Sequence, residues 1–423
     1  MSAGEADNYP HSPYRQSGKF LHSRLSLSER RGHGHPDPPK ARVLNCRTRE
    51  PLDVPSLDPP RVSRLYTPMP APLVIAPGSI NVDLVLKTDV LKGPKTFRGQ
   101  YGETQGGKGS NQALAARRAS AAQREVVLVG CVGQDEWGAQ ALQVLEDSGI
   151  TTDQIRVDET TRTGVVMEYL YGDGEVTIAL DLGANGAVRA ADIDRSADLI
   201  DTASLLLAQI ETTLDALECA VRRARSVGVP TILDPSIIPD DDTERQRLMN
   251  DILTHVDVIA PNRSEALSLS GVEITDDTSA LAAADVIREH VPIVVITRGA
   301  DGAVVVRGQD HQIVQGLRVD AIDGGAAGDT FRGAFAVAIA EARDATSCPL
   351  DELPFEVLVQ AAEFANAAAA LCVTREGAAP SIPDRTQIDQ MLAAGTTRSR
   401  GSKPQSSGSQ GGSQVSGSQV FGS

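Results

Sequence analysis

Residues 323–331 read Asp-Gly-Gly-Ala-Ala-Gly-Asp-Thr-Phe, and a helical pattern follows them up to about Arg343. Small residues at a helix start expose consecutive N–H groups, which together with the helix dipole form a nest for negative charge. The carboxylate of Asp329 would stand beside this nest, where it could accept a proton from a hydroxyl group. An acid at this position is also a common helix cap, so capping is an alternative role for Asp329.

A second glycine-rich segment, Gly106-Gly107-Lys108-Gly109-Ser110-Asn111-Gln112-Ala113, opens an alanine-rich helical pattern. The spacing from Gly102 to Lys108 matches part of a Walker A phosphate loop, but Gly109 stands where that loop needs a Ser or Thr hydroxyl. Adjacent glycines instead allow a ligand to approach the backbone closely, with Lys108 and Asn111 as polar groups at the helix start. A flexible loop is the alternative interpretation.

Three further polar segments follow strand-like runs, at 78–83, 260–265 and 297–302. Parallel sheets bind ligands beyond the carboxyl ends of their strands, so Asn81 and Asp83 are candidates to bind sugar hydroxyls, although a polar turn is the plainer interpretation. Asn262 and Glu265 have the spacing of a capping box, and their oxygens would also suit magnesium. The third segment could be a simple hairpin turn.

Short apolar runs alternate with longer helical patterns through the middle of the chain, which predicts a mostly parallel sheet covered on both faces. The strand-like runs are Leu73–Ala76, Val126–Val132, Leu205–Ala208, Thr231–Leu233, Val256–Ile259 and Ile293–Thr297. Gly149 and Gly228 are placed as C-terminal stops of helices. Two other stretches, 82–101 and 164–180, alternate like antiparallel strands, and they predict a small β-lid over one end of the sheet.

Both ends of the chain differ from the middle in composition. Residues 1–70 are rich in Pro, Ser, His and Arg without helical or strand periodicity, and 396–423 form a Gly/Ser/Gln tail, so both are predicted to be disordered. The net charge of the whole chain is −16. Because residues 1–70 carry +4 and residues 396–423 carry +3, residues 71–395 carry about −23. A body of this charge argues against nucleic-acid binding, so any bound phosphate needs local amides, a helix N-terminus or a metal.

Cysteines and histidines are not expected to carry the chemistry. The five cysteines are scattered without a C-x-x-C pair, which fits a reducing compartment, and no histidines have metal-ligand spacing. No membrane span or secretory signal is expected. We expect a cytoplasmic protein, with the nucleus as a further compartment, and we consider organellar targeting by the N-terminal segment less favoured because of its acids and prolines.

Taken in order, the five segments resemble the ribokinase/carbohydrate kinase family over residues 71–395, most specifically through G-G-K-G-S-N-Q at 106–112 and A-A-G-D at 326–329. The resemblance implies a three-layer α/β/α fold with a β-lid and the transfer of a phosphoryl group from ATP to a sugar. The G-G-K-G-S-N-Q segment at 106–112 is most similar to the ribose-phosphorylating members, so D-ribose is the expected acceptor and D-ribose 5-phosphate the expected product.

The resemblance also implies roles for particular residues, with Asp329 as the catalytic base. The sugar side would comprise Asn81, Val82, Asp83, Gly107, Lys108, Gly109, Ser110, Asn111, Glu211 and Asp329. The nucleotide side would comprise Asn262, Thr297, Arg298, Gly299, Ala300, Asp301, Gly302, Gly328 and Asn366. A surface carboxylate is the alternative for Glu211.

By the same resemblance, Glu265 would act on magnesium indirectly, and a potassium ion would be held mostly by backbone carbonyls. The potassium positions would be Asp323, Gly325, Cys372, Arg375, Gly377 and Ser381. The chain departs from the family at Gly324, where a Thr is usual, and at Arg332, where a small or polar residue is usual. Weaker cation activation is therefore an expectation.

The expected partners are a small-molecule sugar and ATP, with a homodimer formed through the lid. Two rival interpretations stay open at this point. One is a kinase of another sugar or nucleoside on the same fold, such as a fructokinase or an adenosine kinase, because few contacts separate such specificities. The other is an inactive sugar-binding relative, suggested by Gly324 and Arg332.

Overall fold

The computed structural model describes residues 70–401, apart from 94, 95, 122, 123, 173 and 174 and the side chains of 395–401. The predicted disordered segments therefore lie almost wholly outside the described residues. The strands are β1 (Leu73–Ile75), β2 (Asn81–Lys87), β3 (Gln100–Gly106), β4 (Val126–Leu128), β5 (Gly130–Gly133), β6 (Ile155–Asp158), β7 (Gly164–Leu170), β8 (Val176–Asp181), β9 (Leu205–Gln209), β10 (Thr231–Asp234), β11 (Val258–Ile259), β12 (Ile293–Thr297), β13 (Ala303–Arg307) and β14 (Asp310–Val314). The helices are α1 (Lys108–Ala119), α2 (Glu136–Asp147), α3 (Ala190–Arg195), α4 (Ala197–Asp201), α5 (Leu214–Val227), α6 (Asp242–Arg247), α7 (Arg263–Ser270), α8 (Asp277–Ile287), α9 (Ala327–Thr346), α10 (Phe355–Cys372), α11 (Ala378–Ser381) and α12 (Arg385–Gly401).

Eight of the strands in the described part of the chain form the central sheet, in the order β4-β1-β9-β10-β11-β12-β13-β14. The pairs from β4 to β12 are parallel, and β13 and β14 add two antiparallel strands at one edge. Because parallel strands all end at the same edge, the residues that follow β1, β9, β10 and β11 converge there. This is the edge that carries the candidate site.

Alternate residues of the strands feed two separate cores, because successive strand side chains point to opposite faces of a sheet. Leu73 and Ile75 belong to a core shared with α1, α9 and α10, whereas Val74 faces α3 and α5 on the opposite side. A further core on that second side contains residues of α5, α7 and α8. The three-layer α/β/α architecture predicted from the sequence is confirmed.

A second sheet, in the order β3-β2-β7-β8, forms the lid. Strand β2 pairs antiparallel with β3 and parallel with β7, and β7 pairs antiparallel with β8. The two stretches that alternate in the sequence, 82–101 and 164–180, are the ones that build this sheet. The predicted small β-lid is therefore present.

Helix ends follow the local signals. Gly228 ends α5 in the left-handed conformation, and Gly149 follows α2 with a φ of 74°. Helix α12 runs to Gly401, so helical backbone continues past residue 395, where the sequence predicts the start of the tail. Among the described residues, α10 is long and apolar enough to cross a membrane, but more than half of it is buried inside the protein, as in the core helix of a globular domain.

Candidate active site

A cleft of about 660 Å³ lies between the carboxyl edge of the central sheet and the lid. Its lining combines residues that follow β1 and β9 with the starts of α1 and α9 and one face of the lid. It includes Asn81, Asp83, Gly107, Lys108, Asn111, Glu211, Asp323, Gly325, Ala326, Asp329 and Gly377. Segments that are up to about 300 residues apart in the sequence therefore meet at one site.

Most of the predicted sugar-side residues line this cleft, but Val82, Gly109 and Ser110 do not. Val82 lies between Asn81 and Asp83 on a strand, so its side chain points to the opposite face. Gly109 packs on the turn after β1, where a Cβ atom would come within 2.6 Å of the Gly78 backbone. These three residues support the site from behind.

Two amides, Asn81 and Asn111, and two acids, Asp83 and Glu211, dominate the predicted sugar side of the cleft. Asn81 accepts a hydrogen bond from Asn185 Nδ2 at 2.7 Å, which fixes its orientation. Glu211 accepts from the hydroxyl of Ser79 and, over 3.4 Å, from the backbone N–H of Lys108. Asp83 Oδ1 is buried without a hydrogen-bond partner among the described residues. It is an acceptor that a bound hydroxyl would satisfy.

Charges in the cleft perturb one another. Burial, together with Glu168, Glu211 and Asp329, raises the pKa of Asp83 to about 7. Burial alone would lower the pKa of Lys108, but Asp329, Asp234 and Glu211 outweigh it and raise that pKa above its usual value. Lys108 is therefore a permanent cation among several carboxylates.

The start of α1 requires a glycine at position 107. Gly107 has a φ of 91°, and a Cβ atom there would come within 2.7 Å of the backbone of both Ser79 and Asn81. The glycine lets the start of the helix lie directly against the strand that carries Asn81. Lys108 and Asn111 are thereby placed at the cleft.

Asp329 lies in the first turn of α9 with its carboxylate buried and held on both sides. Oδ2 accepts from Asn111 Nδ2 at 3.1 Å, and Oδ1 accepts from Gln112 Nε2 at 3.0 Å. The N-cap position belongs to Ala326, and no side chain caps this helix, so the capping interpretation of Asp329 is wrong. Burial, reinforced by Asp234, raises the pKa of Asp329.

The loop before α9 turns its backbone toward the cleft. Ala326 adopts the left-handed conformation with a φ of 56°, which is unusual for a residue other than glycine. Gly325 and Ala326 line the cleft, next to the first-turn amides of α9. Non-glycine residues in this conformation cluster at functional sites, and this one lies where an anion would meet the helix N-terminus.

The predicted nucleotide-side residues do not line the cleft, but contacts join most of them to one another. Strand pairing links Asn262 to Thr297, at the ends of two adjacent strands. The turn 297–302 is a hairpin turn, as the plainer interpretation predicts. Gly302 packs so closely on the backbone of 314–316 that an added Cβ atom would come within 2.0–2.7 Å of it. Asn366 donates to the carbonyl of Gln315 in that same segment, at 3.4 Å.

Asn262 and Glu265 form the predicted capping box at the start of α7. Asn262 Oδ1 accepts from the N–H of Glu265 at 2.9 Å, and Glu265 Oε2 accepts from the N–H of Asn262 at 2.8 Å. Asn262 Nδ2 also donates to Glu265 Oε1 at 2.8 Å. Both oxygens of Glu265 are thus in use within the protein.

The predicted potassium positions come together where the loop before α9 meets the segment after α10. Asp323 accepts from the N–H groups of Gly325 at 2.8 Å and Gly377 at 2.9 Å. The thiol of Cys372 lies 2.9 Å from the hydroxyl of Ser381. Arg375 joins the cluster through its backbone N–H, which donates to the carbonyl of Cys372 at 3.2 Å.

Sequence reasoning missed two residues that contact or neighbour Asp329. Gln112 Nε2 donates both to Asp329 and, over 2.7 Å, to Asp234 Oδ2, so one amide joins two acids. Asp234 is the last residue of β10, and the rule that identified Glu211 after its strand would have found it. Gln112 lies inside the quoted glycine-rich segment, but no local signal shows its long-range partners.

The described residues contain no group of three or more His, Cys, Asp or Glu that could hold a metal ion. Arg332, which departs from the expected pattern, is buried, and its Nη2 donates to Glu265 Oε2 at 2.9 Å. The same nitrogen lies 3.1 Å from Asp234 Oδ1. Two carboxylates thus balance the buried positive charge that Arg332 introduces at this position.

Comparison with known proteins shows which family this chain belongs to. A model of the pfkB family carbohydrate kinases matches residues 71–385. Ribokinase from Haemophilus influenzae is 36% identical over 318 residues, which cover 74% of this chain and 96% of that protein. Ribokinase from Schizosaccharomyces pombe is 33% identical over 329 residues, covering 75% of this chain and 96% of that protein.

Solved structures show the same relationship. The structure of Giardia lamblia ribokinase matches with a TM-score of 0.70 and 29% identity, covering 77% of this chain and 99% of that one. The structure of Arabidopsis thaliana ribokinase complexed with ribose and ATP matches with a TM-score of 0.65 and 27% identity, again covering 77% of this chain and 99% of the other. The motif resemblance is confirmed, and the chain belongs to the pfkB family of carbohydrate kinases.

Proposed function

We propose that this chain transfers the γ-phosphoryl group of ATP to a hydroxyl group of D-ribose, giving D-ribose 5-phosphate. The observation that carries the proposal is the position of Asp329, which two side-chain amides hold where the sugar side of the cleft meets the first turn of α9. The similarity to ribokinases, one of them complexed with ribose and ATP, supports this pair of substrates.

Sugar binding would use the amides and acids of the cleft. A hydroxyl group both donates and accepts a hydrogen bond, so it suits a site that offers Asn81 and Asn111 beside the carboxylates of Asp83 and Glu211. The unpartnered Asp83 Oδ1 lies on the lid strand β2, so a bound sugar would join the lid to the body. Closure would then exclude water and limit ATP hydrolysis.

The chemical step would combine a base, Asp329, with an anion-binding turn formed by residues 326–328. Asp329 would accept the proton of the attacking hydroxyl, which increases the nucleophilicity of the oxygen as it approaches phosphorus. The amides of residues 326–328 and the ammonium of Lys108 would stabilise the negative charge of the transferring group. Phosphoryl transfer depends mainly on positioning and charge stabilisation, and both are provided by the first turns of α1 and α9.

Glu265 does not fit a role as a direct magnesium ligand in this chain. Its Oε2 accepts from the N–H of Asn262 and from Arg332, and its Oε1 accepts from Asn262 Nδ2, so protein donors already orient the carboxylate and a cation already lies against it. We therefore assign no step to a protein-held magnesium ion, and any magnesium would arrive with the nucleotide.

The predicted potassium cluster fits a monovalent cation better. Ser381 and the carbonyl of Gly325 offer hard oxygen donors, and Asp323 holds the two loops together. A potassium ion at this point would supply positive charge beside the loop that precedes α9. Gly324, the departure next to Asp323, has open space at its Cβ position.

A homodimer formed through the lid is part of this proposal. Strand β8 is an edge strand of the lid, and its Val176 and Ile178 are 47% and 62% exposed. Exposed apolar side chains on an edge strand favour association with another chain. Analytical ultracentrifugation of the wild type and of Val176→Asp tests this, because Val176 does not line the cleft and the proposal expects a dimer for the first and a weakened dimer for the second. A monomeric wild type contradicts it.

One observation favours an acceptor other than D-ribose, either another sugar or a nucleoside. The lid face of the cleft carries the additional acids Glu103 and Glu168 among apolar residues, and these could bind further hydroxyl groups of a larger acceptor. An inactive sugar-binding protein is less well supported, because Asp329, Lys108 and Ala326 all line the cleft.

A coupled ATPase assay across pentoses, hexoses and nucleosides, with ³¹P NMR of the product, tests the proposal. We expect the highest kcat/KM with D-ribose and a 5-phosphate product. A higher value for a hexose or a nucleoside would move the assignment to that acceptor. Calorimetric binding of ribose without turnover would instead support the inactive sugar-binding protein.

A further inference from the structure

Arg332 is a buried cation one helical turn after Asp329. Its side chain is 3% exposed, and Nε donates to the carbonyl of Ala260 at 2.8 Å. Nη2 donates to Glu265 Oε2 at 2.9 Å and lies 3.1 Å from Asp234 Oδ1. A charge this deeply buried is costly unless carboxylates surround it, so the site is built around the guanidinium.

The two acids come from different elements and would repel each other without a cation. Asp234 ends β10, and Glu265 lies in the first turn of α7, which follows the neighbouring strand β11. Asp234 Oδ1 has no hydrogen-bond partner among the described residues, so its contact with Arg332 is an ion pair and the oxygen is an acceptor that faces the cation. Two carboxylates that converge on one positive centre are the arrangement that proteins use to bind a divalent metal.

The remaining contacts extend from this centre to the base. Asp234 Oδ2 accepts from Gln112 Nε2, and the same amide donates to Asp329 Oδ1. On the other side, a Cβ atom on Gly328 would lie 2.8 Å from Arg332 Nη1, so the guanidinium packs directly against the anion-binding turn. Arg332 thus contacts the backbone next to the base and reaches its carboxylate through two side chains.

We propose that Arg332 is a positioning residue that takes the place of a resident divalent cation between Asp234 and Glu265. It holds the two acids together and, through Asp234 and Gln112, holds the carboxylate of Asp329 in place for the transfer step. The positioning role rests on the proposed function, whereas the occupation of the cation site does not.

The occupation of the site is tested without sugar or nucleotide, by thermal unfolding in magnesium chloride against choline chloride of equal ionic strength. Wild type should show no magnesium-specific change in Tm, because the guanidinium fills the site. Arg332→Asn should unfold at a lower temperature, and magnesium should raise its Tm by about 3 °C or more, since a cation can now bind between the two acids. Asp234→Asn/Glu265→Gln/Arg332→Asn should lose this response.

Arg124→Asn is the matched control. Arg124 is also buried in an ion pair, but with the single acid Asp344, so its variant should lose stability without gaining a magnesium response. A folded Arg332→Asn protein that ignores magnesium would overturn the proposal. So would a wild type that magnesium alone stabilises as strongly as the variant, and this second outcome can be measured even if the variant does not fold.

The positioning role is tested by kinetics of Arg332→Lys, which keeps the charge but loses the planar fork of donors. We expect kcat to fall about 10-fold with the KM values for sugar and ATP within about 2-fold of wild type, because the base is displaced while the binding residues stay in place. An unchanged kcat, or a change in KM alone, would overturn the role. If the proposed function fails, wild type itself lacks ribose turnover, whereas the magnesium measurements keep their meaning.

Discussion

Gln112 Nε2 lies 3.0 Å from Asp329 Oδ1, and this hydrogen bond joins helices α1 and α9 through residues that are more than 200 positions apart. The same nitrogen donates to Asp234, so the amide stands between two buried carboxylates and separates their charges. The carboxylate of Asp329, the proposed base, is therefore oriented by a residue of the glycine-rich segment as well as by its own helix.

Gln112→Met tests this orientation, because methionine has a similar length but cannot donate. We expect kcat to fall roughly 10- to 100-fold with little change in the KM for sugar. The unfolding free energy should fall by about 2 kcal/mol, since both acids lose a buried donor. Steady-state kinetics and urea unfolding measure these effects. Gln143→Met on α2 is the control, because the Gln143 side chain is exposed and hydrogen-bonds to the nearby Asp147. An equal loss of kcat in both variants would refute the account.

Asp83 should make the ligand-free protein less stable as the pH rises. Its pKa is about 7 in the folded protein, against 3.8 for an unperturbed aspartate, so between these values the folded state binds more protons than the unfolded state. The unfolding free energy therefore falls with increasing pH over this window, by up to about 4 kcal/mol. Asp83→Asn should remove this part of the decrease. Urea unfolding of both proteins from pH 4 to 8 measures it, and parallel curves would contradict the assignment.

Cation activation should respond to position 324. A Cβ atom on Gly324 would meet nothing within 4 Å, so Gly324→Thr should fold normally and restrict the loop beside Asp323. We expect potassium to raise kcat more than sodium in the wild type, and the ratio to grow in the variant. Initial rates in the two chlorides at equal ionic strength measure this. Identical rates in both salts for both proteins would argue against the potassium site.

Gly107→Ala should damage the site through sterics alone. The added methyl group would approach the backbone of Ser79 and Asn81 to 2.7 Å, and a φ of 91° disfavours any L-residue. We expect a loss of about 1–3 kcal/mol in stability and a clear rise in the KM for sugar, because Asn81 moves. Gly186→Ala is the control, since its nearest neighbour would be 3.6 Å away. Near-normal sugar KM in a folded Gly107→Ala protein would contradict the proposed packing.

The sequence allowed the fold and the family to be predicted, and Asp329 to be proposed as the base, because those signals are local or ordered along the chain. The capping box of Asn262 and Glu265 and the polar residues after β1 and β9 follow from rules on helix starts and strand ends. The alternation of side chains along a strand is enough to predict that Val82 points away from the sugar side, opposite to Asn81 and Asp83. By contrast, the contacts of Gln112 and Arg332 with Asp234 join residues about 100 positions apart, which no local pattern records. The carboxylate partners of Arg332 could therefore not be predicted from the sequence.

The central claim is that Asp329 is the general base, and Asp329→Asn tests it most directly. The asparagine carbonyl can still accept from Gln112, and a rotation of the Asn111 amide would accommodate the new NH₂ group, so folding should change little. Asp242→Asn, at an exposed position in the first turn of α6, controls for the substitution itself. The measurement is kcat for ribose phosphorylation, with nucleotide affinity measured in parallel. The account predicts a fall in kcat of about 10²- to 10⁴-fold with nucleotide affinity nearly unchanged; a well-folded Asp329→Asn protein with kcat within a few-fold of wild type would contradict it.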